Sequence, residues 1–293
     1  MKTSRRDFIK TSALIGGSLA ISESMFAGVG EDAKSTPEIG ICTGIDHYAL
    51  AQKAGYAFLE EGVRGFLVPS EPESVFLPIL EKAKKSPVPV IACNSFLPGS
   101  MKSVGPDPAN DEILRFAETA FKRAKLAGVK IIVFGSGGSR SIPEGFSKDE
   151  AAGQFVELCK QLAPLAAKQN VIVVIEPLNK KECNFINSVA EGGEIVKAVN
   201  HRNIRLLADL YHMKMDDEGP ENIIQYGNLL HHVHIAEKEG RSAPGTHGED
   251  FTPYFDALKQ VRYKGAVSIE CKWEDMEKQA PVALRTIMEQ WNL

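Results

Sequence analysis

From Glu38 onward, short apolar runs alternate with stretches whose apolar positions recur every three or four residues. Runs of that length predict strands, and the longer recurrence predicts helices with one buried face. The expected strands are Ile39–Thr43, Ala57–Glu61, Val88–Cys93, Lys130–Phe134, Val171–Glu176, Ile204–Asp209, Leu230–Ala236 and Ala266–Lys272. Helix-length segments separate them and one follows the last. Phe155, Leu158, Cys159, Leu162 and Leu165 fall on one helical stripe, and Phe116, Ala120, Ala124 and Ala127 on another. Pro164 inside the first stripe predicts a kink, and Gly128 is placed to end the second helix. This alternation predicts a (β/α)8 TIM barrel, an α/β fold built as one domain over residues 36–293. A doubly wound sheet would carry G-x-G-x-x-G after its first strand, whereas Thr43-Gly44-Ile45-Asp46 stands there.

In such a barrel the chemistry sits at the C-terminal ends of the strands. Those ends carry Glu60/Glu61 on the second strand, Cys93-Asn94 on the third and Phe134-Gly-Ser-Gly-Gly-Ser-Arg140 on the fourth. The next four carry Glu176, Asp209, His232-Val-His234 and Glu270. Strand alternation puts Val174 with Glu176, Leu207 with Asp209, His232 with His234, and Ser268 with Glu270 on the inward face. Val173, Ile175, Ala208, Val233, Ile235 and Ile269 then face the outer helices. Consecutive strands thus send Glu176, Asp209, His234 and Glu270 to one mouth. Three converging carboxylates need neutralisation, which predicts one divalent cation held by these four side chains. One imidazole with three carboxylates suits Mn²⁺ first, with Mg²⁺, Co²⁺ or Zn²⁺ as alternatives.

Composition is that of a globular protein, 43% apolar and 25% charged, which excludes disordered and collagen-like readings. Formal charge is −4, and no basic block lies beyond the N-terminus, so no nucleic-acid partner is expected. No apolar run reaches the length of a membrane span. The five cysteines form no C-x-x-C and are expected as free packing or loop thiols.

The motifs Glu176-Pro-Leu-Asn-Lys-Lys-Glu182, Asp209-Leu-Tyr-His212, His232-Val-His234 with Arg241-Ser-Ala-Pro-Gly245, and Glu270 resemble the xylose-isomerase-like sugar isomerase/epimerase superfamily. The resemblance is to its ketose 3-epimerase and hydroxypyruvate isomerase branch, and it extends over the whole barrel. It implies Glu176, Asp209, His234 and Glu270 as metal ligands, with Glu176 and Glu270 doubling as the catalytic acid/base pair. It also implies Glu182, His212 and Arg241 as substrate-binding residues, although Arg241 lies further along the chain from His234 than the resemblance would set. The implied reaction is proton abstraction next to a carbonyl through an enediolate, on a small sugar or keto-sugar. An alternative with the same site is a lyase or hydrolase acting on 3-keto-glycosides or inosose-like keto-sugars. More distant alternatives are a non-catalytic sugar-binding protein and an endonuclease-IV-like nuclease, the latter needing further histidines on strands two and three.

Ser136-Gly137-Gly138 is expected as a flexible loop, with an anion-binding nest as the alternative, and Arg140 either lines the mouth or is a solvated surface charge. Lys272 is placed to contact substrate or a carboxylate. Phe96 and Trp273 either wall a sugar pocket or pack beneath loops, and His231 and His247 are expected on the surface or in loops. At the N-terminus, Arg5-Arg6 ahead of Phe8-Ile9-Lys10, followed by the mildly apolar Thr11–Ile21, resembles a twin-arginine export signal. Residues 1–30 are therefore expected to be a signal peptide cleaved near Ala27 and the protein to be periplasmic. No stable membrane association is expected after cleavage, and a homo-oligomer is compatible with the sequence.

Overall fold

The eight predicted strands all form, as β1 (Ile39–Cys42), β2 (Phe58–Gly62), β3 (Val90–Asn94), β4 (Ile131–Phe134), β5 (Ile172–Ile175), β6 (Ile204–Asp209), β7 (Leu230–Ile235) and β8 (Ala266–Ile269). They pair in parallel in chain order and close into a barrel, with Ile41 of β1 in register with Ile269 of β8. The computed structural model describes residues 36–293. The predicted export signal over residues 1–30 lies outside the described residues.

Helices α1 (Tyr48–Ala54), α2 (Glu73–Lys85), α3 (Asn110–Ala127), α4 (Gly137–Arg140), α5 (Lys148–Lys168), α6 (Val189–Val199), α7 (Leu210–Met215), α8 (Glu221–Tyr226), α9 (Thr252–Gln260) and α10 (Met276–Trp291) follow the strands. Gly128 ends α3 in the left-handed conformation at φ 82°, its N–H returning to Ala124 and Lys125, as its position suggested. Pro164 does not interrupt α5. The carbonyl it leaves without a donor belongs to Lys160 on the exposed side, where water can serve it.

Alternation along the strands divides the core in two. Ala92, Ile131, Val133, Val174 and Leu207 pack together inside the barrel. Val173, Ile175, Ala208, Val233, Ile235 and Ile269 join the larger layer between sheet and helices. Every inward and outward assignment made for these positions holds. Register shifts fall at Leu59/Glu60 in the β2–β3 pair and at Leu206/Leu207 in the β6–β7 pair, just before two acidic side chains of the interior. Such bulges re-aim the residues that follow them. All five cysteines are free. Among the described residues no helix is long and apolar enough to cross a membrane.

Candidate metal and substrate site

Glu176 follows β5, Asp209 closes β6, His234 lies in β7 and Glu270 follows β8. Each offers one donor atom, and the four atoms lie within 4.8 Å of one another. His234 Nδ1 is central, 3.0 Å from Glu176 Oε1, 3.4 Å from Glu270 Oε2 and 4.0 Å from Asp209 Oδ2. The two oxygens of Asp209 have separate duties. Oδ1 caps α7, accepting from the backbone N–H groups of Tyr211 and His212. Oδ2 is buried without a hydrogen-bond partner and points into the cluster.

Behind this cluster, inside the barrel, lies a fourth carboxylate, Glu60, which is almost wholly buried. Glu60 Oε1 accepts from His234 Nε2 at 2.9 Å. Its Oε2 accepts from His232 Nε2 at 2.8 Å and from Ser268 Oγ at 2.7 Å. Burial alone would raise the Glu60 carboxyl, but His234 and His232 hold it below the ordinary carboxylate range. A carboxylate that accepts the Nε2 proton of His234 leaves Nδ1 as the ligating nitrogen. Burial pushes the Glu176 carboxyl up; His234 opposes this, and Glu270 and Asp209 add to it. Burial would also raise Asp209, but His212, Arg241 and His234 bring it below its ordinary value.

The three residues expected to hold substrate border the same mouth. Arg241 is ion-paired to Glu270 Oε2 and stands 3.7 Å from both Glu182 Oε1 and Asp209 Oδ2. Its guanidinium lies over the Tyr211 ring, 4.7 Å from the centroid. The longer spacing from His234 therefore does not keep Arg241 from the site. His212 Nδ1 accepts from the Asn179 side-chain amide at 2.8 Å, so that Nε2 faces Asp209 Oδ2 at 3.5 Å. The same Asn179 amide donates to Glu182 Oε1 at 3.0 Å, and Asn94 donates to Glu270 Oε1 at 3.0 Å. Asn179 and Asn94 were not singled out from sequence as site residues, yet each fixes one that was.

Several peripheral expectations are corrected. Arg140 is neither at the mouth nor in solvent. It is wholly buried, and its guanidinium donates to the carbonyls of Phe134, Glu176 and Ile186. Ser136-Gly137-Gly138 is not a flexible loop, because Gly137 opens the helical turn α4 and packs where a Cβ would lie 3.0 Å from Leu178. Phe96 belongs to the core, stacked on Phe121 and edge-on to Phe134. Trp273 packs against that core. Lys272 is exposed and engages Arg241 through its backbone N–H. His247 sits in a loop near Glu239, whereas His231 is part-buried in β7.

The donor set fits a hard divalent ion: three carboxylates, one imidazole nitrogen, and a buried oxygen of Asp209 with no other partner. Cys42 also lies close to Glu60 and His234. Burial, with Glu60 and Glu270, holds its thiol well above the ordinary range. The ends of β2 and β3 carry Glu60/Glu61 and Cys93-Asn94, which lack the histidines of a multinuclear nuclease centre.

A family model described as "Xylose isomerase-like TIM barrel" matches residues 48–290. L-ribulose 3-epimerase of Methylomonas sp. (strain DH-1) is 33% identical over 172 residues, which is 56% of this chain and 58% of that protein. The 3-dehydro-D-guloside 4-epimerase of Escherichia coli (strain K12) is 30% identical over 110 residues, covering 37% of this chain and 42% of that one. The chain thus spans about half the length of the curated relatives it matches. Among solved structures, D-psicose 3-epimerase with D-tagatose from Clostridium cellulolyticum H10 superposes with a TM-score of 0.77 at 20% identity, over 87% of this chain and 99% of that one. That likeness is one of fold. With the family model covering nearly all of the barrel, the chain belongs to the xylose isomerase-like TIM barrel family.

Proposed function

We propose that the protein is an exported, divalent-metal-dependent isomerase or epimerase acting on an uncharged keto-sugar, with Glu176 and Glu270 as its acid/base pair. The observation that carries this reading is the convergence of Glu176, Asp209, His234 and Glu270 within 4.8 Å. A divalent cation bound there, Mn²⁺ by preference, would polarise the substrate carbonyl and offset the charge that develops on its oxygens. Glu176 and Glu270 reach the cluster from different strands, after β5 and β8. One takes the proton from the carbon beside the carbonyl, and the other returns it to the opposite face or to the neighbouring carbon. Burial raises the Glu176 carboxyl. Glu270 is aligned by Asn94 and Arg241, while Glu182, His212 and Arg241 hold substrate hydroxyls.

Charge selects the substrate class. Glu176, Asp209, Glu270 and Glu182 surround a mouth whose nearest fixed cation is Arg241, itself ion-paired to Glu270. Four carboxylates against one guanidinium and one divalent cation leave negative charge, so the site disfavours carboxylates such as hydroxypyruvate and also phosphosugars. Free ketoses and 3-keto-glycosides both satisfy it. The match to a 3-dehydro-D-guloside 4-epimerase supports testing the second class alongside the first.

The test is turnover of free ketoses, 3-keto-glycosides and hydroxypyruvate by Mn²⁺-loaded protein in D₂O, followed by NMR. Deuterium should appear at the carbon beside the carbonyl of a neutral substrate. Glu270→Gln should lose about 10²- to 10⁴-fold in turnover, with its metal content measured alongside. Turnover with full retention of that hydrogen overturns the mechanism, release of an aglycone replaces epimerisation by elimination, and preference for hydroxypyruvate overturns the charge argument. Export rests on Arg5-Arg6. Replacing both by Lys should retain the precursor in the cytoplasm, and normal export of that variant would refute it.

A further inference from the structure

Beyond β7 the chain folds back over itself between residues 237 and 249, and Arg241 is carried on this loop. Three of its glycines, Gly240, Gly245 and Gly248, have φ of 67°, 88° and 78°, and Arg241 itself has φ 56°. For a non-glycine residue that conformation costs about 1 kcal/mol or more and persists only where the surroundings enforce it. The guanidinium nevertheless ends against Glu270 and Glu182.

What enforces it is centred on Glu237, two residues beyond β7 and wholly buried. Its Oε1 accepts from the backbone N–H of Gly245 at 2.7 Å and, at longer range, of Glu249 at 3.4 Å. Its Oε2 accepts from the N–H of His247 at 2.6 Å. No cationic side chain pairs with it among the described residues. The loop's own amide dipoles therefore offset the buried charge, as in an anion-binding nest. The loop is closed at its other side by backbone bonds, Glu237 N–H to the Ser242 carbonyl at 2.9 Å and Lys272 N–H to the Arg241 carbonyl at 2.8 Å.

We infer that Glu237 is a positioning residue for the substrate site: its carboxylate gathers the Gly245–Glu249 amides and so holds Arg241 over the mouth beside Glu270. Among the described residues no hydrogen bond or ion pair joins the Glu237 carboxylate to the four-residue cluster, and it acts through Arg241. This rests on the reading of Arg241 as a substrate-binding residue. A glutamine at 237 keeps one accepting oxygen but turns an NH₂ group toward an N–H donor, so at least one loop amide loses its partner.

The experiment uses the barrel protein loaded with Mn²⁺, the neutral keto-sugar it turns over, and the variants Glu237→Gln, Arg241→Ala and their double. Glu237→Gln should lower kcat/KM about tenfold or more, the scale of a misplaced binding group, while Mn²⁺ affinity stays within about twofold because the Glu237 carboxylate bonds loop amides and none of the four ligand side chains. Added to Arg241→Ala, the Glu237→Gln change should have no further effect on kcat/KM. An unchanged kcat/KM in the single variant, or full additivity in the double, overturns the inference. Amide hydrogen exchange on the wild-type protein needs neither substrate nor a folded variant. The Gly245, His247 and Glu249 amides should be protected to the level of the β7 amides, and exchange at open-loop rates would equally overturn it. Protected amides in a protein that turns over no sugar would count against the proposed function and leave the loop's construction standing.

Discussion

Gly135 and Glu176 compete for the same space: a Cβ on residue 135 would lie 2.0 Å from Oε2 of Glu176 and 3.1 Å from its carboxyl carbon. Gly135 directly follows β4, and its missing side chain is what lets the Glu176 carboxylate reach His234 Nδ1. Gly135→Ala should therefore leave the barrel folded, because residue 135 is not in the left-handed region, and displace the carboxylate. Mn²⁺ affinity measured by calorimetry is expected to fall about 10- to 100-fold, as when the orientation of a ligand is disturbed. Wild-type affinity in the variant would show that the carboxylate has another way to turn.

The features legible in the sequence are those that repeat at strand period. Val174 with Glu176, and His232 with His234, could be assigned to the inward face because a parallel barrel strand places alternate residues there. Arg140 could not be read in the same way. In the sequence it is a charge following Ser-Gly-Gly-Ser, a composition that signals an exposed loop. Its burial depends on the carbonyls of Glu176 and Ile186, 36 and 46 positions away. Glu237 was hidden similarly, inside Glu-Lys-Glu-Gly-Arg, which has the look of a solvated turn. Both side chains serve backbone groups, Arg140 those of distant segments and Glu237 those of its own loop, and backbone groups leave no mark on the pattern of apolar and polar residues.

Glu60 supplies a test of how the imidazole is held. Gln at this position is nearly isosteric and still offers one oxygen to His234 Nε2, but its NH₂ must face His232 or Ser268. Mn²⁺ affinity should drop about 10- to 100-fold, in keeping with the loss of a carboxylate behind a ligating histidine. In Zn²⁺-loaded wild-type protein, nitrogen NMR should find His234 protonated at Nε2 and ligating through Nδ1. A proton on Nδ1 would contradict the arrangement.

Arg140 makes a prediction about stability rather than chemistry. Arg140→Met preserves much of the buried volume but leaves the Glu176 carbonyl without the donor that reaches it at 2.7 Å, whereas the Phe134 carbonyl keeps the Glu176 N–H at 3.3 Å. An unsatisfied buried carbonyl costs about 1 to 3 kcal/mol. Urea unfolding of the metal-free protein should register a loss of roughly 1 to 3 kcal/mol. A loss below about 0.5 kcal/mol would mean that the Glu176 carbonyl finds another donor.

His231 gives the fold a pH dependence that is separable from the metal site. It is part-buried in β7, and burial, with the nearby charges of His232 and Arg205, lowers its pKa from 6.5 to about 4. In the unfolded chain the imidazole gains its proton as pH falls past 6.5, whereas the folded chain resists until about 4. Between these values the unfolded state binds more protons, so stability is full above pH 6.5 and is lost progressively toward pH 4. A fully buried group with this shift would contribute about 3 kcal/mol, and partial exposure reduces that to about 1 to 2 kcal/mol. The buried carboxylates whose pKa values are lowered, Glu60 and Asp209, also lose stability on acidification, so the His231 contribution must be read as a difference. In His231→Asn, measured with chelator present, the gap from wild type should shift by that amount in the variant's favour between pH 6.5 and 4.5. A gap that stays constant over this range would show that His231 takes up its proton equally in both states.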